Sequence, residues 1–115
     1  MEASTPSLGR AIAESRKRKA ISQKELAARI LKEDGGAITP QYLNDIEHDR
    51  RSPSSDHLVK QFAAVLDISE DWLYWLAGRL PANARDQRAT PKQIEDAFVA
   101  FRKTLRKRGN GALDP

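Results

Sequence analysis

The residues best equipped for chemistry in this chain are a scatter of amides, arginines and carboxylates around two histidines. His48 and His57 are flanked by Asp49 and Asp56, but their spacing of nine residues across a polar loop matches no usual zinc pattern. The chain has no cysteine, which excludes thiolate metal sites and disulfides as well. There is no serine or cysteine nucleophile motif, no glycine-rich phosphate loop and no HExxH helix. Neither catalysis nor a bound metal or cofactor is expected.

The segment TPQYLND at 39–45 is more informative. Gln41 and Asn44 stand three apart, the spacing of one helical face, and an amide can donate to and accept from the N6 and N7 edge of adenine as a bidentate pair. The same two residues on a short helix are more often simply solvated. Thr39 at the start of the segment can meet a phosphate or a thymine methyl. Arg50 and Arg51 beyond it are able to grip a phosphate backbone. Gln23 and Lys24 open an earlier helix whose free N–H groups favour an anion.

These side chains need helices to hold them. Leu8, Ala11, Ile12 and Ser15 keep the spacing of a helix from Leu8 to about Lys19, with Ser7 as its N-cap. Ser22 followed by Glu25 is a capping-box pattern for a second helix, with Leu26, Ala27, Ile30 and Leu31 as its buried stripe. LKEDGGA at 31–37 interrupts the pattern, either as a loop or as an extension of that helix. Thr39-Pro40 then starts a third helix running to about His48. Pro53 halts helix continuation, and Ser54 is the expected cap of a fourth helix with Leu58, Phe62, Val65 and Leu66 inside.

Ser69 caps a fifth helix, stapled by Ile68, in which Trp72, Leu73 and Leu76 face inward and Trp75 sits at the edge of that face. Gly78 gives it a left-handed stop. No stretch alternates with period two, so residues 1–78 predict an all-α, five-helix globule. RLPANARDQRAT at 79–90 reads as a linker. Thr90-Pro91 begins a C-terminal amphipathic helix reaching Arg108, with Ile94, Phe98, Phe101 and Leu105 as its apolar stripe, and residues 109–115 read as a frayed tail.

Composition fits a single small domain: 115 residues, 39% hydrophobic and 31% charged. The longest apolar run, Trp72 to Ala77, is far short of the roughly 18 residues of a membrane span. The first residues lack the apolar core of a secretory signal, so a cytoplasmic protein without membrane contact is the expectation. Lys and Arg number 20 against 16 Asp and Glu, a net charge of +4 that hints at a polyanionic partner. Its distribution is uneven, with residues 1–78 at net −1 and residues 79–115 at net +5.

The succession SQKELAARI then ITPQYLNDIEHDRRSP resembles the lambda-repressor-like, XRE-type helix-turn-helix family across roughly residues 8–78. Shared features are Arg16 late in the first helix, Ser22-Gln23, Leu26-Ala27, Tyr42-Leu43, Ile46-Glu47, the Arg-x-x-Pro-Ser from Arg50 to Ser54, and Asp71-Trp72-Leu73. The resemblance implies a sequence-specific DNA-binding transcriptional regulator, a repressor rather than an activator, whose third helix enters the major groove of double-stranded DNA. Thr39, Gln41, Asn44 and Asp45 are then the base-contacting residues. Gln23, Lys24, Tyr42, Arg50 and Arg51 become the phosphate contacts, although Tyr42 half buried against the second helix is an equal expectation. Arg16 and Glu47 look like the family's buried ion pair.

The chain departs from the family pattern at the lengthened turn, Leu31 to Ala37, and at Ala20 and Asp67, where relatives usually carry glycine. Asp45 and Asp49 place negative charge near phosphates, which predicts weak non-specific affinity for residues 1–78 alone. A homodimer is expected, built from the fifth helix and the tail together, with Trp75, Ile94, Phe98, Phe101 and Leu105 as interface candidates. The alternative reading is an antitoxin or protease-controlled protein, whose main contact is a toxin or a regulatory protease.

Overall fold

A computed structural model describes residues 5–113, and their side chains over 5–106. The helices are α1 (Leu8–Arg18), α2 (Gln23–Arg29), α3 (Pro40–Glu47), α4 (Asp56–Leu66), α5 (Glu70–Ala77), α6 (Ala82–Arg85) and α7 (Pro91–Leu113). They fall into two compact units, residues 1–85 and 86–115. Among the described residues the only bridge pairing is an isolated antiparallel one between Leu31 and Ala37, so the class is all-α.

Local chemistry sets the helix starts. The Ser7, Thr39 and Ser69 hydroxyls accept from the backbone N–H three residues on, at Arg10, Tyr42 and Trp72. Ser22 and Glu25 exchange both bonds of a capping box, and the Ser22 N–H and hydroxyl together hold the Glu25 carboxyl below its ordinary pKa. The fourth helix is capped by Ser55, whose hydroxyl accepts from the Leu58 N–H at 3.2 Å, and not by the expected Ser54, whose backbone N–H donates to the Tyr42 hydroxyl at 3.1 Å.

The core of the first unit joins Ile12 of α1, Leu26 of α2, Leu43 and Ile46 of α3, Phe62 of α4, and Leu73 and Tyr74 of α5, all without exposed surface. α3 packs against both α1 and α2, while α4 packs against α5 and α1. Gly9 allows the first of these contacts. A Cβ there would lie 2.1 Å from the Ile46 carbonyl oxygen, so the start of α1 can sit on the end of α3 only without a side chain.

Of the two readings of residues 31–37 the loop is the one found, and other expectations are corrected. Residues 31–37 form a closed loop and do not extend α2, because Ile30 leaves the helix in an extended conformation and the Ile38 N–H returns to the Ile30 carbonyl at 3.0 Å. Leu31 therefore lies outside, 41% exposed, and Ile38 fills the core instead. On α5 the inward face is Leu73 and Tyr74, flanked by half-buried Leu76 and Ala77. Trp72 points outward at 40% exposure, because at about 100° per residue it lies beyond the edge of that face.

The expected linker carries α6, and Arg79 and Arg85 both pair with Asp56 at the head of α4, at 3.1 and 2.5 Å. α7 passes Gly109 and Gly111 to Leu113 instead of ending at Arg108, since a helical glycine costs only about 0.5–1 kcal/mol. Asp114 and Pro115, the remainder of the expected frayed tail, lie outside the described residues. No described helix is long and apolar enough to cross a membrane.

Candidate nucleic-acid interface

α2 and α3 are locked to each other from the residues upward. The Arg16 guanidinium forks onto the Glu47 carboxylate, Nε to Oε2 at 2.6 Å and Nη2 to Oε1 at 3.0 Å, and its Nη1 donates to the Ile21 carbonyl at 3.0 Å. Glu47's hydrogen bond, opposed by burial, raises the Arg16 pKa further above its already high value. This ion pair ties the end of α1 to the end of α3 and also holds the α1–α2 turn.

The same carboxylate reaches α2. Gln23 Nε2 donates both to Glu47 Oε1 at 2.9 Å and to Asn44 Oδ1 at 3.1 Å. Sequence reasoning treated Gln23 as a phosphate contact and Asn44 as a base contact, but their amides meet each other, and both residues are half-buried. The Asn44 carbonyl also accepts from His48 Nδ1 at 2.8 Å, which fixes the proton on that ring nitrogen. That coupling joins residues 21 positions apart, a separation no local pattern reveals.

The second cluster is centred on Asp45. Its Oδ1 accepts from Gln41 Nε2 at 3.0 Å and from Arg50 Nε at 3.1 Å, and its carbonyl accepts the Arg50 and Arg51 N–H groups. Gln41, Asp45 and Arg50 therefore form one surface group, with Gln41 and Arg50 exposed. Thr39 is also exposed, but its hydroxyl accepts from the Tyr42 N–H as the α3 cap. Lys24 projects from the first turn of α2 and is exposed.

Tyr42 is half-buried and pins the α3–α4 loop, accepting from the Ser54 N–H and donating to the Ser52 carbonyl at 3.5 Å. The Arg51 guanidinium lies 4.7 Å from the centre of the Tyr42 ring, a cation–π contact. An open groove runs beside this ring, lined in part by Ile38, Thr39, Tyr42, Arg51 and Leu58, with Lys32 on its rim. Sequence reasoning missed Lys32, because only closure of the 31–37 loop brings it to the start of α3. Asp49, expected as a negative charge near phosphates, is exposed and its carboxylate accepts from the Gly9 N–H at 3.0 Å.

Among the described residues no group of His, Cys, Asp and Glu is arranged to hold a metal ion. Of the dimer candidates, Trp75 is 50% exposed on α5, whereas Ile94, Phe98, Phe101 and Leu105 lie on α7 in the second unit, between 37% and 47% exposed.

A sequence model of the family described as Helix-turn-helix matches residues 12–73. No curated protein gives a match. Among solved structures, one titled SinR protein/SinI protein complex is similar, with 24% sequence identity and a TM-score of 0.49 over 87% of this chain and 98% of that chain.

Proposed function

The chain belongs to the lambda-repressor-like helix-turn-helix family of DNA-binding transcription regulators, and from that premise we propose that it is a sequence-specific repressor acting as a homodimer, with α3 of each copy in the major groove. The observation that carries this reading is the group of exposed Gln41 and half-buried Asn44 and Asp45 along α3, backed by Gln23 and the Arg16–Glu47 pair. A base-reading helix must be held stiffly, and the shared bonds of Gln23 supply that stiffness.

In this reading Gln41 and Asn44 read base edges, while Asp45 keeps Gln41 and Arg50 in place and repels phosphates that approach in the wrong register. Thr39, Lys24, Arg50 and Arg51 set position on the backbone. Gln23 acts through Asn44. The exposed Trp72 and Trp75 of α5 and the stripe of α7 supply the dimer contacts, so that two half-sites about 34 Å apart are read together.

Fluorescence anisotropy on DNA from upstream of the chain's own gene, against a scrambled duplex and across a salt series, tests this reading. A preference of roughly a thousandfold or more at physiological salt is expected. Gln41→Ala and Asn44→Ala should each cost about 1–3 kcal/mol at one base position, whereas Arg50→Ala should weaken all sequences alike and lower the salt slope. Equal losses on both duplexes for Gln41→Ala and Asn44→Ala overturn the base-reading assignment.

A further inference from the structure

Ile94, Phe98, Phe101 and Leu105 repeat at intervals of four, three and four, which is the a/d pattern of a two-helix seam. All four are exposed, at 47%, 37%, 42% and 47%, and the Phe98 and Phe101 rings pack edge to face at 6.4 Å to form a continuous apolar ridge. A stripe this narrow fits one partner helix better than a flat surface.

We propose that α7 pairs with α7 of a second copy of this chain in antiparallel order. This rests on the homodimer part of the proposed function and supplies its partner geometry. A two-fold axis between Phe98 and Phe101 sets Ile94 of one copy against Leu105 of the other, and Phe98 against Phe101. Each pairing occurs twice, and all four layers are then filled by apolar side chains.

Charge selects the direction. In the first half of α7 Lys92 pairs with Asp96 at 3.1 Å, which leaves Glu95 to give that half its net negative charge, while Arg102, Lys103 and Arg106 lie in the second. Parallel pairing would stack like charge on like, whereas antiparallel pairing sets each half against its opposite. Glu95 and Arg102 each directly follow a d position, at Ile94 and Phe101, so they flank the same seam. In the antiparallel pair Glu95 of one copy lies between the same two layers as Arg102 of the other, and the symmetry makes this contact twice. The antiparallel arrangement also sets the two Pro91 residues about 26 Å apart along the seam, at 1.5 Å per residue, which suits reading heads that must reach half-sites about 34 Å apart.

Sedimentation velocity of the full chain without DNA tests the proposal. The native chain should dimerise. Phe98→Asp, with its helix content checked by circular dichroism, should be monomeric at the same concentration. Glu95→Arg and Arg102→Glu should each weaken self-association at least tenfold, and an equimolar mixture of the two variants should recover the native affinity as a heterodimer. A monomeric native chain, or a Phe98→Asp chain that still dimerises, overturns the α7 seam. Single charge variants that behave as native, or that fail to recombine, overturn the antiparallel order. A dimer that shows no DNA preference leaves this pairing standing and removes only the DNA reading, and the reverse result separates the two the other way.

Discussion

The Asp49 carboxylate accepts a hydrogen bond from the backbone N–H of Gly9 at 3.0 Å, so the residue just beyond α3 caps the first turn of α1. Asp49 sits at φ 60, a left-handed conformation that aspartate tolerates better than most residues. Gly9→Ala would force a Cβ into the α3 carbonyls and should destabilise the fold by about 3 kcal/mol or more. Asp49→Ala loses the cap and should cost about 1 kcal/mol, with Asp49→Asn close to native. Urea unfolding of the three variants checks this ordering, and a native-like Gly9→Ala would mean that α1 does not sit on α3 in this way.

Arg16 and Glu47 are both largely buried, with side chains 12% and 4% exposed. Removing one partner strands the other, so Glu47→Leu should lose about 3–5 kcal/mol. The paired change Arg16→Met with Glu47→Leu should recover much of that loss in thermal unfolding. It should still impair DNA discrimination, because Gln23 loses its Glu47 acceptor and its bond to Asn44 is no longer anchored to that carboxylate. A double variant no more stable than the single one contradicts this account.

Tyr74 has no exposed surface, and its hydroxyl has no hydrogen-bond partner among the described residues. Burial, aided by the negative charges of Asp56 and Glu70, pushes its pKa above the ordinary tyrosine value. Tyr74→Phe removes the unsatisfied hydroxyl and keeps the ring, so stability should rise by up to about 1 kcal/mol. A loss of more than about 1 kcal/mol in denaturant unfolding would show that the hydroxyl is bonded.

Asp56 receives Arg85 and Arg79, and the Arg85 hydrogen bond is the main reason its carboxyl titrates below the usual aspartate range. A carboxyl depressed in the folded state lends stability that is complete above about pH 4, its unfolded value, and that disappears as pH falls through the lower folded value. Between about pH 5 and pH 3 the native chain should therefore lose more stability than Asp56→Asn, whose curve is flatter there. Parallel curves would remove Asp56 from the acid response.

The helix starts were legible in the sequence because a cap is a bond between residues three apart, as at Ser7, Ser22, Thr39 and Ser69. The inward face of α5 was not, because EDWLYWLA is apolar on nearly every side and only contact with the rest of the core selects Leu73 and Tyr74 over Trp72. The adjacent serines at 54 and 55 offered two equivalent caps, and only the structure shows that the Ser55 hydroxyl takes the Leu58 N–H. Ala20 and Asp67 occupy positions that suggested glycine, and both adopt the left-handed conformation glycine would take, at φ 58 and 57. Surrounding packing imposes that conformation despite the Cβ. For the site, residue types on α3 could be read directly, but the bonds among Gln23, Asn44 and Glu47 depend on how α2 meets α3, which no spacing encodes.

The loop from Leu31 to Ala37 is closed at its base by the bridge between those two residues, and the Leu31 N–H is tied to Gln61 Oε1 of α4 at 3.0 Å. Its tip is open, since a side chain added at Gly35 would meet nothing within 4 Å, although the φ of +90 there favours glycine. The tip can thus serve as a graft point next to α3. Because the chain lacks cysteine, a single Gly36→Cys, whose Cβ would meet only the Asp34 and Lys32 side chains at 3.2 and 3.7 Å, would accept one fluorophore, placing an optical reporter beside α3 while leaving α2 and α3 in register.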